Sequence, residues 1–154
     1  MKKDLFSDPI ALGSIAGIVG NIPKEILAII FYSFGWKRYT FTHLAAGLFV
    51  PKEFLANPLA LIVGFVTDFT VAGLLGVLLA YIIKNTGNIY PTFKGLLIGL
   101  VSYIFICGLI LKSGITSVNS AIPLAKFSAL LLHIIFGIVS GWFIKCYGKL
   151  EDNK

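Results

Sequence analysis

A chain of 154 residues that is 57% hydrophobic and only 13% charged lies outside the range of soluble globular domains, in which about a quarter of residues are charged. Its solvent is mostly lipid. The net charge of +6 does not indicate nucleic acid, because the thirteen Lys and Arg are scattered singly or in pairs beside apolar runs, with no basic face or stacking aromatics.

A helix needs about 20 apolar residues to cross the hydrocarbon. Four stretches meet or approach this length, at 10–34, 59–83, 95–111 and 127–144. The first follows Met1-Lys2-Lys3 in the manner of a signal peptide, but no small-x-small cleavage site follows it, so it is read as retained. Asp8-Pro9 and Asn57-Pro58 each place a capping side chain before a proline suited to the first helical position. Pro91 and Pro123 are read as lying in the later connections. Within 39–57, the stretch 41–50 is too short to cross and predicts an interfacial or re-entrant helix, with His43 an ordinary interfacial side chain. Tyr32, Trp36, Lys37 and Arg38, then Tyr81 and Lys84, then Trp142 and Lys145 form the aromatic and basic belts of the interfaces. The expectation is one all-α membrane domain over 1–154, a bundle of about four transmembrane helices.

Lys2, Lys3, Lys84, Lys94, Lys145, Lys149 and Lys154 fall on one side of the spans, and Lys37, Arg38, Lys52, Lys112 and Lys126 on the other. The positive-inside rule then places both termini in the cytoplasm. Cys107 and Cys146 lie about 20 Å apart along the bundle axis at ~1.5 Å per residue, too far to bridge. Neither they nor the two histidines have metal-ligand spacing. No Walker loop, Rossmann fingerprint or nucleophile elbow is present, so no enzyme, catalytic residue, metal or cofactor is expected.

Each span carries small residues at helical spacing: Gly13, Gly17 and Gly20; Ala72 and Gly76; Gly95 and Gly99; Gly137 and Gly141. In lipid, close backbone approach at such stripes is a main source of helix association. Ionisable residues share these faces. Lys24 lies about 3 Å beyond the middle of its span, and Asp68 and His133 about 4–5 Å before the middle of theirs, which puts all three on one side of the midplane. A central Lys or Asp costs roughly 2.5–3.5 kcal/mol on insertion scales, so Lys24 and Asp68 are the natural pair. Glu25, Ser102 and Tyr103 complete the expected polar cluster, Asn21 adds a further polar group on the first span, and Pro23 is expected to kink or break that span beside it. His133 is read as making a core hydrogen bond.

Gly13-Ser14-Ile15-Ala16-Gly17 with Lys24, Thr67-Asp68, Tyr90-Pro91 leading to Gly95-Leu96-Leu97-Ile98-Gly99, and Leu132-His133 resemble the YagU-like family of small bacterial inner-membrane proteins. The resemblance runs over most of the chain and departs from the family's pattern at Asp68, where a histidine would stand. It implies a multi-span protein of the bacterial inner membrane and no particular activity. Two functions remain open. One is a structural or interaction protein of the bilayer, whose buried charges fix helix register and partner choice. The other is an ion or proton pathway, or a small-solute carrier, using Lys24, Glu25, Asp68 and His133, and needing a homo-oligomer because four glycine-packed helices leave little room for alternating access.

Overall fold

A computed structural model describes residues 5–118 and 122–150, and among these every regular element is helical. Helix α1 runs Pro9–Ser33, α2 Phe41–Ala46, α3 Pro58–Thr86, α4 Pro91–Tyr103, and α5 Pro123–Tyr147; α4 continues without a break into a π-helix over Ile104–Ile110. The helices α1, α3, α4 with its π extension, and α5 are each long and apolar enough to cross a membrane.

Local chemistry sets the starts. Asp8 Oδ1 accepts from the N–H groups of Ile10 and Ala11, both at 2.8 Å, and Asn57 Oδ1 from that of Leu59 at 2.9 Å, each just before a proline. Pro91 and Pro123 are not in connections, as the sequence had suggested, but occupy the first positions of α4 and α5, where a missing N–H costs nothing. The third and fourth spans therefore each begin four residues earlier than expected. The second ends at Thr86, where Gly87 takes a positive φ of 80°, and Lys94 Nζ, reaching back from the first turn of α4, donates to Thr86 Oγ1 at 2.7 Å and Gly87 O at 2.6 Å. Pro23 does not break α1, which stays helical through Ser33. The ring removes one backbone bond, while glycine-mediated packing against α3 and α5 continues along the preceding turns.

The tight packings run α3–α1, α1–α5 and α5–α4, so α1 and α5 are inner helices flanked by α3 and α4. Glycines make these crossings. A methyl group on Gly17 would land on Ala72 O, one on Gly76 would land on Gly13 O, and one on Gly13 would lie 2.5 Å from Val77 Cα. On the other side, Gly95 abuts Gly137 O, Gly99 abuts His133 O, and Gly141 lies against Pro91 O. Gly20 joins the two hairpins, facing Ser140 Oγ and Phe136 O. Backbone touches backbone at each crossing, so dispersion contacts form along the whole helix pair.

Helix α2 is a single capped turn and a half lying on α3. Gly64 leaves room for Thr42 O and Ala46, and the segment after the π-helix closes over it: Ser117 N–H donates to Gly47 O at 2.8 Å and Ser117 Oγ to Val50 O at 2.9 Å. Ala46, Leu55, Ala60 and Val118 form a small apolar core beneath. His43 is more than an interfacial side chain. Its Nδ1 lies 2.8 Å from Thr40 Oγ1 in the capping box that starts α2.

Candidate functional site

Moving four residues along α1 and four back along α3 takes the crossing from Gly13 and Gly76 to Gly17 and Ala72, and one further step brings Asn21 opposite Asp68. The packing ladder thus delivers a polar pair at its third rung. Asn21 Nδ2 donates to Asp68 Oδ2 at 2.7 Å. Lys24, one turn beyond Asn21, donates through Nζ to Asp68 Oδ1 at 2.9 Å and to Oδ2 at 3.0 Å. Both carboxylate oxygens are therefore occupied. Such charge-assisted bonds are about twice as strong as neutral ones, and this one sits where water is scarce.

Glu25 also points inward despite its rotation from Lys24, because α2 covers that side of α1. Its Oε1 is 3.8 Å from Lys24 Nζ, and Thr42 Oγ1 lies 3.5 Å from Oε2. Phe41, the first residue of α2, presents its ring to two cations: Lys24 Nζ at 4.2 Å and Lys37 Nζ at 4.1 Å from the ring centroid. Lys37 is a correction to the belt reading. Only 5% of it is exposed, because the turn after α1 folds it back over Phe41. Burial lowers its ammonium to about 8, with Glu25 acting in the opposite direction.

His133 is buried and its Nδ1 lies 2.7 Å from Ala129 O. The carbonyl can only accept, so this contact holds Nδ1 protonated and fixes the ring. Phe41 and Tyr103 meet the imidazole edge-on, at 5.1 and 5.7 Å between centroids. Tyr103 therefore belongs to the wall behind His133, apart from the charges. Ser102 Oγ donates to Gly99 O at 2.8 Å and lines a cavity of about 20 Å³ together with Asn21, Lys24, Asp68 and His133. A second cavity of about 100 Å³ lies on the α2 side, between Lys24, Asp68, His133, Thr67 and the π-helix residues Ile106 and Ile110. At roughly 10–15 Å³ per water, the smaller has room for about one and the larger for several.

The structure thus brings together Lys24, Glu25, Asp68, Ser102 and His133, with Asn21 beside them as the sequence placed it, and adds Lys37, Phe41 and Thr42. Asn21 was legible, since it lies eight residues after Gly13 on the same face. Lys37 and Phe41 had none, because a basic residue and an aromatic after a span look the same whether they anchor at the interface or fold inward. Cys107 and Cys146 are both free, the first buried and the second exposed. No group of three His, Cys, Asp or Glu able to hold a metal occurs among the described residues.

Comparison with protein-family models found no match, and neither did comparison with curated proteins or with solved structures. Fold and site geometry are the grounds for a functional reading.

Proposed function

We propose that the chain is a structural or interaction protein of the bilayer, a non-enzymatic multi-pass protein of the bacterial inner membrane in keeping with its YagU-like resemblance, with both termini in the cytoplasm. Its buried charges select one helix register and hold α2 against the bundle. The observation that carries this reading is the saturation of Asp68 by Lys24 and Asn21, at the rung where the glycine ladder ends. A one-rung slip of α1 on α3 would orphan two charges as well as the glycine contacts, so the wrong registers are disfavoured twice. The quartet Lys24, Lys37, Glu25 and Asp68 is also balanced in formal charge, as a static polar core requires.

A second reading rests on the 100 Å³ cavity, which places Lys24, Asp68 and His133 around one space. Ionisable residues at such depth serve proton and ion pathways in many membrane proteins. Reconstitution of Lys24→Met/Asp68→Leu into vesicles separates the two. The structural reading expects a folded protein whose proton and cation permeability equals that of the wild type and of empty vesicles. Wild-type conductance that the double variant lacks, with its fold intact, overturns the structural reading in favour of the pathway.

A further inference from the structure

The outer helices α3 and α4 flank the inner pair, and no glycine of either packs on the other. Their gap is roofed by α2, and under that roof lies the cavity of about 100 Å³. Its walls are apolar, with Phe41, Leu44 and Leu48 above, Val71 on α3, and Ile106 and Ile110 on the π-helix. Leu48 and Val71 are 39% and 38% exposed, so the cavity reaches the surface of the bundle between them. A π-helix in a wall is a frequent mark of a working site.

On the polar side of the cavity the donors are committed and acceptors are left over. Lys24 Nζ donates to both oxygens of Asp68 and otherwise faces the Phe41 ring and Glu25. Thr67 Oγ1 donates to Val63 O, and Thr116 Oγ1 to Leu44 O. His133, only 3% exposed, has Nδ1 on Ala129 O, which leaves the lone pair of the neutral ring at Nε2. No described residue donates to that nitrogen. Asn21, fully buried, spends Nδ2 on Asp68 and has Oδ1 without a donor. His133 borders both this cavity and the 20 Å³ one, and Asn21 borders the smaller. Buried acceptors without partners are costly, so a molecule that fits here brings its own donor.

We propose that the larger cavity is a binding site for a neutral hydroxyl compound with a small apolar body, its O–H donating to His133 Nε2. Lys24 and Asp68 already neutralise each other, so a charged ligand would enter without a counter-ion of its own. At roughly 10–15 Å³ for each water-sized position, 100 Å³ takes about seven to ten heavy atoms, the size of a phenol. One water in the smaller cavity supplies the donor to Asn21 Oδ1. The hydroxyl belongs either to a small free molecule or to the head of a longer lipid-soluble one whose tail leaves past Val71, and the test separates these sources.

The test uses the full chain in nanodiscs of phosphatidylcholine, a lipid without a hydroxyl group. Phenol and toluene, which differ only in hydroxyl against methyl, are titrated while the histidine ring nitrogens are followed by isotope-labelled magnetic resonance; His43 and His133 are the only histidines. Phenol is expected to shift the His133 Nε2 signal saturably, leave His43 in place, and bind about tenfold more tightly than toluene, as one hydrogen bond to a buried acceptor implies. His133→Leu should erase the preference for phenol over toluene, a ratio that a lower melting temperature does not mimic. Val71→Phe, at the exposed rim, should melt like the wild type and exclude both compounds. Tighter binding of para-octylphenol than of phenol supports a ligand with its tail in the bilayer; its exclusion while phenol still binds supports a small free one. Equal binding of phenol and toluene, a preference that persists in His133→Leu, or no saturable shift at His133 overturns the proposal.

Discussion

Lys24 and Asp68 meet across α1 and α3 with the ammonium 2.9 and 3.0 Å from the two carboxylate oxygens, and Asn21 closes on the same carboxylate from one turn away. The pair is part of the packing register and also its charge lock. Removing either partner alone strands a charge, which is expected to destabilise by roughly 3–5 kcal/mol. Lys24→Met and Asp68→Leu should each lower the melting temperature sharply in detergent, while the combination costs less than the sum of the two. Strict additivity in this double-mutant cycle would show that the residues are uncoupled.

Asn21→Leu retains the ion pair and removes only the donor to Asp68 Oδ2. A hydrogen bond to a charged group contributes about 1.5–3 kcal/mol, so the loss should fall in that range, well short of the single charge deletions. A neutral effect in chemical or thermal unfolding would remove Asn21 from the unit.

Gly17 and Gly73 are near neighbours at one crossing with opposite tolerances. A methyl group on Gly17 would land on Ala72 O, whereas one on Gly73 finds nothing nearer than Ser14 O at 3.9 Å. Gly17→Ala should therefore destabilise by about 1–3 kcal/mol through overpacking. Gly73→Ala should be neutral or stabilising by up to about 1 kcal/mol from helix propensity. Comparable losses at both positions, measured by unfolding in mixed micelles, would mean that α1 and α3 cross elsewhere.

Lys37 gives the stability a pH dependence. Its folded ammonium titrates near 8 because of burial, against an ordinary value of 10.5. Between these values the unfolded chain binds more protons than the folded one, so stability rises with pH from about 8 towards 10.5, and below 8 the cost of burying the charge is constant. Melting curves of wild type and Lys37→Met in neutral detergent should converge as pH climbs through this window. A constant difference across it would show that Lys37 is not held in the buried position.

Topology and thiol access can be read together. On the proposed orientation, with both termini cytoplasmic, an impermeant maleimide should label exposed Cys146 only after the cytoplasmic face is opened, and buried Cys107 on neither side until the protein unfolds. Labelling of Cys146 in intact cells would reverse the orientation.

Much of this architecture was legible in the chain because lipid imposes strict rules. Long apolar runs have to be helices, and Lys24 and Asp68 had to find each other because neither tolerates hydrocarbon alone. The glycine spacings that mark the crossings are also local facts. What was hidden depends on distant contacts. Lys37 turns inward only because Phe41 lies beneath it, and Glu25 is covered only because α2 folds back onto α3 at Gly64. The π-helix over Ile104–Ile110 has no proline or polar break to announce it. Proline was ambiguous at both ends: Pro91 and Pro123 start helices, whereas Pro23 rides inside one, and hydropathy does not distinguish these cases.

The spatial order α3–α1–α5–α4 differs from the order of synthesis. Helix α4 is made before α5, yet its main partner is α5, and α1 needs both α3 and α5 to cover its two glycine faces. Until α5 is made, Gly95 and Gly99 lack the Gly137 and His133 backbone against which they pack, and Gly20 lacks Phe136 and Ser140. The last helix to be made is thus the one that completes the crossings of both the first and the fourth.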